Sequence, residues 1–202
     1  VSFEKFQTDG ISAMTHNEEK DAYRNNSFLG KFDNQFNDYL EIEGSVRLRD
    51  TYLQYDKVID TATATHNEEE NGRHYLASGA LKYKPNKKFT NKLSLTSSYT
   101  KRSYGAAAGS GNLIKDNYYG ERYSYGYMGN YNFNLDNSLI FGVEREEDQM
   151  GYNKDLTGIQ RESYYTTSSF FDYQRRISNN LFATYGSRFD DNSVAGDEES
   201  HR

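Results

Sequence analysis

The residues of this chain that could recognise a ligand are arginines, one glutamate and two neighbouring tyrosines. Arginine can form two parallel hydrogen bonds with a carboxylate or phosphate, and a tyrosine ring can stack on a flat ligand. We therefore consider a small-molecule binding site built from these side chains. The other interpretation is that these side chains pair with one another or with a domain of the protein that lies outside this chain. The candidate residues are Arg49, Arg102, Arg122, Glu144 and Arg188, together with the aromatic residues Tyr118 and Tyr119, which we expect in a loop.

Catalytic chemistry finds little support in the sequence. The chain has no cysteine, which excludes thiol nucleophiles, disulfides and thiolate metal sites. Its four histidines are scattered, and none has another histidine at the spacing of a metal site. Asp190 and Asp191 have the composition of an acid pair, but neighbours on a strand point to opposite sides. The sequence predicts that the protein is not an enzyme and has neither catalytic residues nor a bound metal.

Three acidic clusters, at residues 17–21, 67–70 and 146–148, could supply carboxylate oxygens to calcium. None has the spacing of an EF-hand loop, so we expect solvated external loops and no cofactor, with calcium in those loops as the alternative. Residues 105–111 are rich in glycine but lack the Lys-Ser/Thr pair of a phosphate-binding loop. The net charge of -6 and the lack of a basic stripe argue against nucleic acid as a partner.

Residues 122–147 indicate which elements position the candidate residues. Large side chains recur at every second position, as at Tyr123, Tyr125 and Tyr127, and the alternation resumes after the turn signal at residues 134–137. A period of two indicates a strand, and two strands joined by a tight turn form a hairpin. Each arm exceeds the length of an ordinary soluble strand and reaches the about 9–11 residues that cross a bilayer at a tilt.

The same pattern recurs along the chain as a series of hairpins. Short turns are centred near residues 38, 87, 136 and 179. Longer polar or glycine-rich loops are expected at residues 15–21, 57–72, 105–113 and 152–158. Short turns at one end and long loops at the other are typical of outer-membrane barrels. We predict an all-β fold, a transmembrane antiparallel β-barrel, of which this chain is an incomplete piece with about 8–9 long strands.

The distribution of charge predicts different environments for the two sides of these strands. Residues 123–133 and 139–143 carry no charged residue on the side that holds the large apolar side chains. An Arg or Lys at the bilayer midplane would cost about 2–4 kcal/mol, whereas charges on the other side could be solvated in a wet interior. The mean hydropathy of -1.00 excludes a helical membrane protein.

Three segments resemble barrel strands of TonB-dependent receptors, in particular the cobalamin-receptor-like branch. They are FEKFQTDGISA at residues 3–13, FGVEREED at residues 141–148 and LFATYGSRFDDNSVAG at residues 181–196. The last segment departs from the family at Ser193-Val-Ala, where the family often has an aromatic residue.

The resemblance implies a barrel of about 22 strands in the bacterial outer membrane, closed by an N-terminal plug domain. Such receptors import a scarce nutrient with energy passed on by TonB. Residues 1–202 would be part of this one barrel domain, without the plug domain and the C-terminal strands. The partners would be the lipid bilayer, the plug, TonB through the plug, and a small-molecule ligand such as a cobalamin- or siderophore-like compound.

Other functions stay open on the residues alone. A passive porin-type channel would show the same alternating strands without a plug. A small self-contained β-barrel, acting as an adhesin or a lipid enzyme, would need bulky inward residues, whereas the inward positions here are mostly Ser, Thr, Gly and Asn. A soluble extracellular β-sheet would have shorter strands and a charged outer face.

Overall fold

The computed structural model describes residues 1–11, 20–56, 67–106, 115–153 and 160–201. These residues form one antiparallel sheet of ten strands that follow one another in sequence order, which confirms the all-β fold. The strands are β1 (Ser2–Thr8), β2 (Tyr23–Asn37), β3 (Leu40–Asp56), β4 (Asn67–Asn86), β5 (Phe89–Ala106), β6 (Lys115–Asn132), β7 (Asn137–Asn153), β8 (Gln160–Ser178), β9 (Leu181–Asn192) and β10 (Gly196–His201). The described residues contain no helix of the length and hydrophobicity needed to span a membrane.

The four predicted short turns, centred near residues 38, 87, 136 and 179, are confirmed at one end of the sheet. A fifth tight turn, which was not predicted, joins β9 to β10 at the opposite end, where long loops were expected. In three of the short turns and in this fifth turn, an Asn oxygen accepts a hydrogen bond from the backbone N–H two residues further on. The pairs are Asn37 with Tyr39 at 2.8 Å, Asn86 with Lys88 at 2.9 Å, Asn134 with Asp136 at 2.9 Å and Asn192 with Val194 at 2.9 Å. This local bond mimics a backbone turn and ends one strand just before the next begins.

The strands are more numerous and longer than expected. The sheet has ten strands rather than about 8–9, because residues 196–201 pair with β9 although they contain no apolar alternation. β4 begins at Asn67 within an expected loop, and β7 continues to Asn153. Cross-strand backbone hydrogen bonds therefore carry these polar segments into the sheet, since each added pair satisfies backbone groups whatever the side chain.

The register divides the side chains between two faces. Directly paired residues point to the same side, so the row Leu93, Tyr127 and Val143 shares one face across β5, β6 and β7. We call this side the apolar face. The opposite side, the polar face, carries the row Ser94, Gly126 and Glu144. The predicted alternation is confirmed over all the long strands.

The sheet is open and has no core of its own within the described residues. β1 pairs with β2 and β10 with β9, and no pairing joins β1 to β10. None of the described hydrophobic side chains is buried. The accessible surface of 14240 Å² exceeds the roughly 9,700 Å² expected for a compact protein of this mass. The apolar face must therefore be covered by something other than the described residues.

The short turns are displaced steadily along the strands. Leu40 is the first residue of β3, and the row of paired residues that starts there reaches Phe171 on β8. The last paired residue of β8 is Ser178, seven residues beyond Phe171. The line that joins the short turns is thus oblique to the hydrogen-bonded rows.

Close packing between strands can be tested at two glycines of the polar face. A Cβ at Gly142 would lie 2.5 Å from the carbonyl oxygen of Tyr127 and 2.6 Å from the Phe170 ring, whereas a Cβ at Gly120 would meet nothing within 4 Å. Gly142→Ala should lower the free energy of unfolding by about 1–3 kcal/mol, the cost of overpacking. Gly120→Ala should be neutral or stabilising. Urea titration of the full-length protein measures both, and equal stability would contradict the close approach at Gly142.

Candidate functional site

The polar face carries six of the candidate residues, namely Arg49, Arg102, Tyr118, Arg122, Glu144 and Arg188. Tyr118 and Tyr119 belong to β6 rather than to a loop, so they point in opposite directions. Tyr119 lies on the apolar face, where the Lys101 ammonium is 5.3 Å from its ring centre. Arg49 is exposed, and its Nε donates to Oδ1 of Asn25 at 3.1 Å.

Arg122 forms a bidentate ion pair with Asp148, the residue directly opposite on β7. Its Nε donates to Oδ1 of Asp148 at 2.6 Å and its Nη2 donates to Oδ2 at 2.9 Å. Its Nη1 also lies 3.3 Å from Oε1 of Glu146. Asp148 is only 7% exposed, so this pair neutralises a carboxylate with little access to water.

Arg188 links three strands in a similar way. Its Nη1 donates to Oε2 of Glu144 on β7 at 3.2 Å, and its Nε lies 2.9 Å from Oδ1 of Asp190 on β9. Its Nη2 donates to the hydroxyl of Ser168 on β8 at 2.8 Å, and that hydroxyl in turn donates to Asp190. Ser168 is 3% exposed, so its hydroxyl is satisfied inside the sheet surface.

These ion pairs form two neighbouring groups, which adjoin at Glu144 and Glu146 on the same face of β7 and which together we call the charged ladder. It consists of Arg122, Glu144, Glu146, Asp148, Arg188 and Asp190. Four carboxylates face two arginines, so the ladder has an excess of negative charge. An anionic ligand would have to displace carboxylates from both arginines, whereas a hydroxyl-rich or cationic group would not. The geometry favours the interpretation of these arginines as ion-pair partners within the protein.

A groove of about 270 Å³ lies beside the charged ladder. Its polar lining includes Arg188 of the charged ladder and the hydroxyl and carboxylate side chains of Ser94, Ser124, Glu144, Glu146, Thr166 and Ser168. Gly126 keeps it open, because a Cβ there would lie 2.6 Å from the Ser94 hydroxyl. Hydroxyl and carboxylate groups suit a ligand that donates and accepts several hydrogen bonds.

Three tyrosines form a row on the polar face near the ends of β5, β6 and β7 that lie away from the short turns. The ring centres of Tyr104 and Tyr118 are 5.7 Å apart, and those of Tyr118 and Tyr152 are 5.4 Å apart. Arg102 is in register with Tyr118 and lines the same groove as Asp116. Hydrogen bonding with Tyr104 raises the pKa of Arg102 above its ordinary value, so the guanidinium stays charged. We call Tyr104, Tyr118 and Tyr152 the tyrosine row.

A cluster of three acidic residues lies at the short-turn end of the polar face, with lysines beside it. Asp33, Glu41 and Glu43 bring their carboxylate oxygens within 4.8 Å of one another. Lys82 lies 3.2 Å from Glu41, and Lys92 lies 3.9 Å from Glu43. Because lysines lie beside two of these three acids, the geometry favours an ion-pair cluster over a metal centre.

The predicted acidic loops are not loops where the structure describes them. Residues 67–70 and 146–148 lie in β4 and β7, so their acidic side chains alternate between the faces. Carboxylates on opposite faces of a sheet cannot converge on one calcium ion. Most of the cluster at residues 17–21 lies outside the described residues, as do His16 and His66.

The partners of the arginines were not singled out from the sequence, although part of the signal was present. Glu146 and Asp148 follow Glu144 at every second position, and Asp190 follows Arg188 in the same way. Residues at this spacing share a face of a strand.

The register of the hairpin supplies the rest of the signal. Counting outward along β6 and β7 from the pair Asn132 and Ser138 places Arg122 opposite Asp148. The interstrand contact of Arg188 with Ser168 further requires the register between β8 and β9.

No model of a known protein family matches the chain, and a search of curated proteins finds no significant match. The likeness to TonB-dependent receptors therefore stays a prediction from the residues.

The Arg122 ion pair can be tested by removing one partner. Arg122→Ala should lower the free energy of unfolding by about 1–3 kcal/mol, because the Asp148 carboxylate stays largely buried without its counter-charge. Arg49→Ala, which removes an exposed arginine, should cost no more than about 0.5 kcal/mol. Asp148→Asn added to Arg122→Ala should recover part of the loss, as chemical denaturation would show. An Arg122→Ala variant as stable as Arg49→Ala would contradict this role.

Proposed function

We propose that this chain is part of the β-barrel of an outer-membrane receptor that imports a scarce nutrient, such as a cobalamin- or siderophore-like molecule, with energy supplied through TonB. In this proposal the apolar face meets lipid and the polar face lines a wet interior. The observation that carries the proposal is that β2 to β8, which are 15 to 20 residues long, share an uncharged apolar band on one face while polar and charged residues lie on the other. The choice of TonB-dependent receptors as the family comes from the three sequence segments that resemble them.

The length of the uncharged band on the apolar face supports a membrane. The first charged residues on this face of β3, β5, β7 and β9 are Asp50, Lys101, Arg145 and Asp191, which lie ten, twelve, eight and ten residues from the strand starts. Ten residues rise about 33 Å along a strand. At a tilt of about 45° this is a height of about 23 Å, close to the about 25 Å apolar band of membrane barrels.

The oblique line of short turns supports the same tilt. Seven residues along β8 correspond to about 23 Å, and the five strand steps from β3 to β8 correspond to roughly 24 Å across the sheet. If all the turns lie at one level, the strands tilt by about 45° from the normal to that level. Membrane barrels tilt their strands by about 35–45°.

Aromatic side chains border the band on both sides. A chain of ring contacts of 4.9 to 6.5 Å near the short turns joins Phe89, Tyr131, Phe133, Phe141 and Tyr173. At the other border the rings of Tyr75 and Tyr99 are 5.9 Å apart, and Arg145 lies 4.3 Å from the ring centre of Tyr165. Amphipathic rings favour the level of lipid headgroups, so two such rows are expected at the two surfaces of a bilayer.

The polar face offers an incoming ligand two successive surfaces. The tyrosine row and Arg102 lie at the end of the sheet away from the short turns, where the ligand would first stack and bond. The charged ladder lies closer to the short turns and presents hydroxyls and excess carboxylates. Movement of a plug domain would open a path along this polar wall. The tyrosine row therefore selects the ligand, and the ladder keeps the wall hydrated and rigid.

The orientation of the two faces can be tested with single thiols, because the chain has no cysteine. Leu95 lies on the apolar face and is 59% exposed, and the adjacent Thr96 lies on the polar face. In the full-length protein reconstituted in bilayers, Leu95→Cys should react with a membrane-soluble maleimide and resist a charged, water-soluble one. Thr96→Cys should show the reverse preference. Mass spectrometry measures the rate of each reaction.

Labelling of both variants after unfolding in urea is the control, since it should give equal rates. Fast reaction of Leu95→Cys with the charged reagent in intact bilayers would place the apolar face in water and overturn the proposal.

Transport can be tested with the adjacent tyrosines of β6. Cells that rely on the full-length protein are given radiolabelled cyanocobalamin or iron bound to a panel of siderophores. Tyr118→Ala should reduce uptake of the transported probe about threefold to tenfold, as expected for the loss of one aromatic contact. Tyr119→Ala, on the opposite face, should leave uptake unchanged. Uptake that continues without TonB would identify a passive channel and contradict energised import.

A further inference from the structure

A groove with positive charge lies on the apolar face, where the uncharged band ends. We call it the cationic groove, and its charged groups are Arg24 on β2, Arg73 on β4 and Lys101 on β5, with Asp50 on β3. It has a volume of about 540 Å³, and the other polar side chains that line it on this face include those of Asn26, Asn71, Ser103 and Asn117. Three cations face one carboxylate in a chain whose net charge is -6, so this excess is local.

The cations of the groove are held by neighbouring side chains. The Arg24 guanidinium lies 5.5 Å from the ring centre of Tyr52, and the Lys101 ammonium lies 5.3 Å from that of Tyr119. Such cation–π contacts position a charge without neutralising it. Arg73 is 3.8 Å from Asp50, and its side chain is 62% exposed, so its guanidinium can reach an external ligand.

Beyond β5, the charges at this border are isolated or negative. The first charged residue on the apolar face of β6 is Glu121, and that of β9 is Asp191. Arg145 on β7 donates to Glu147 at 2.7 Å and is therefore neutralised on its own strand. Arg161 on β8 lies in the same paired row as Lys101 but three strands away. The clustered positive charge therefore lies on β2 to β5, which indicates a specific site rather than a general feature of the border.

Apolar side chains begin directly below the cationic groove. Phe28, Leu48, Tyr75 and Tyr99 form one paired row across β2 to β5, next to the row that contains Asp50, Arg73 and Lys101. The exposed Leu95 lies further down the same face. A ligand that fits both surfaces carries an anionic polar group joined to hydrocarbon chains. This is the chemistry of an amphiphile with a negatively charged headgroup.

We propose that the cationic groove binds the phosphate groups of a phosphorylated glycolipid of the outer leaflet, whose acyl chains lie on the apolar row below. This inference rests on the membrane orientation given under the proposed function. Arg73 can form two parallel hydrogen bonds with a phosphate, and Lys101 adds a compact point charge. The amide and hydroxyl side chains of the lining can bond to sugar hydroxyls. The groove thus anchors one lipid to one sector of the wall.

The test uses fluorescent diphosphorylated lipid A titrated into phosphatidylcholine nanodiscs that hold the full-length protein. Removing two cations with Arg73→Gln/Lys101→Gln should weaken binding about 25-fold, since each Lys or Arg near an anionic surface contributes roughly fivefold. Arg47→Gln/Arg49→Gln is the matched control, because it removes two positive charges from the polar face of β3, the strand that supplies Asp50 to the groove on its other face. It should change the dissociation constant less than about twofold, a difference too small to count as a lost charge contact.

Two further arms identify the source of the phosphate. Lipid A stripped of its phosphates should bind weakly and equally to all three proteins. Inorganic phosphate at millimolar concentration should not displace the lipid, because it gains nothing from the apolar row. Equal affinity of the wild type and the Arg73→Gln/Lys101→Gln variant would overturn the proposal, as would an equal loss in the matched control. Displacement by inorganic phosphate would identify a free-anion site and overturn the lipid assignment.

The failure of this inference can be separated from failure of the membrane orientation. If Leu95→Cys is protected from the charged maleimide and lipid A binding does not depend on Arg73 and Lys101, only the lipid site is refuted. If Leu95→Cys reacts with the charged maleimide, the apolar face meets water, and the lipid site is refuted together with the proposed function.

Discussion

The cross-strand backbone ladder of a single-layered sheet is the interaction on which the rest of this structure depends. Ten antiparallel strands satisfy one another's backbone groups, but one layer encloses nothing, and none of the described hydrophobic side chains is buried. Each face of the sheet must therefore be in contact with its own environment outside the sheet. Because side chains alternate strictly along a strand, a single residue of slip would move the whole apolar set to the polar face. The short turns, three of which are stabilised by an asparagine side chain, thus help to set the register that decides which environment each side chain meets.

On the polar face, the same register determines which charges meet. Arg122 lies opposite Asp148 because of the hairpin between β6 and β7, and Arg188 reaches Glu144 and Asp190 from β9. Both arginines therefore form ion pairs with carboxylates of the sheet, and the charged ladder has more negative than positive groups. A surface of this kind stays hydrated and stiff, which suits a wall that a polar solute passes. Recognition is better served by the tyrosine row, where stacking needs no ion pair to be broken.

The strands and their two faces could be predicted from the sequence, because they follow from side chains that alternate with a period of two. Features that depend on which strands pair could not be predicted in this way. The side-chain types from Tyr123 to Val143 alone were enough to predict a hairpin and its two faces. Residues 67–70 and 196–201 are polar throughout, so only the hydrogen bonds offered by a neighbouring strand place them in the sheet. Tyr119 was grouped with Tyr118 because a loop was expected there; once the segment is a strand, adjacent residues separate.

The oblique line of the short turns explains where the first charges lie on the apolar face. Arg145 and Asp191 lie in the same hydrogen-bonded row as Leu95 of β5. The first charge of β5 on this face, Lys101, comes six residues after Leu95. The first charges of the different strands therefore do not lie in one hydrogen-bonded row. The short turns shift along the strands in the same direction. The distance from turn to first charge consequently stays between eight and thirteen residues on β2 to β7 and on β9, although the register drifts; on β8, Arg175 lies three residues from the end of the strand. A compact soluble sheet has no reason to keep that distance similar on seven strands, whereas a slab of hydrocarbon between two aqueous surfaces would impose it.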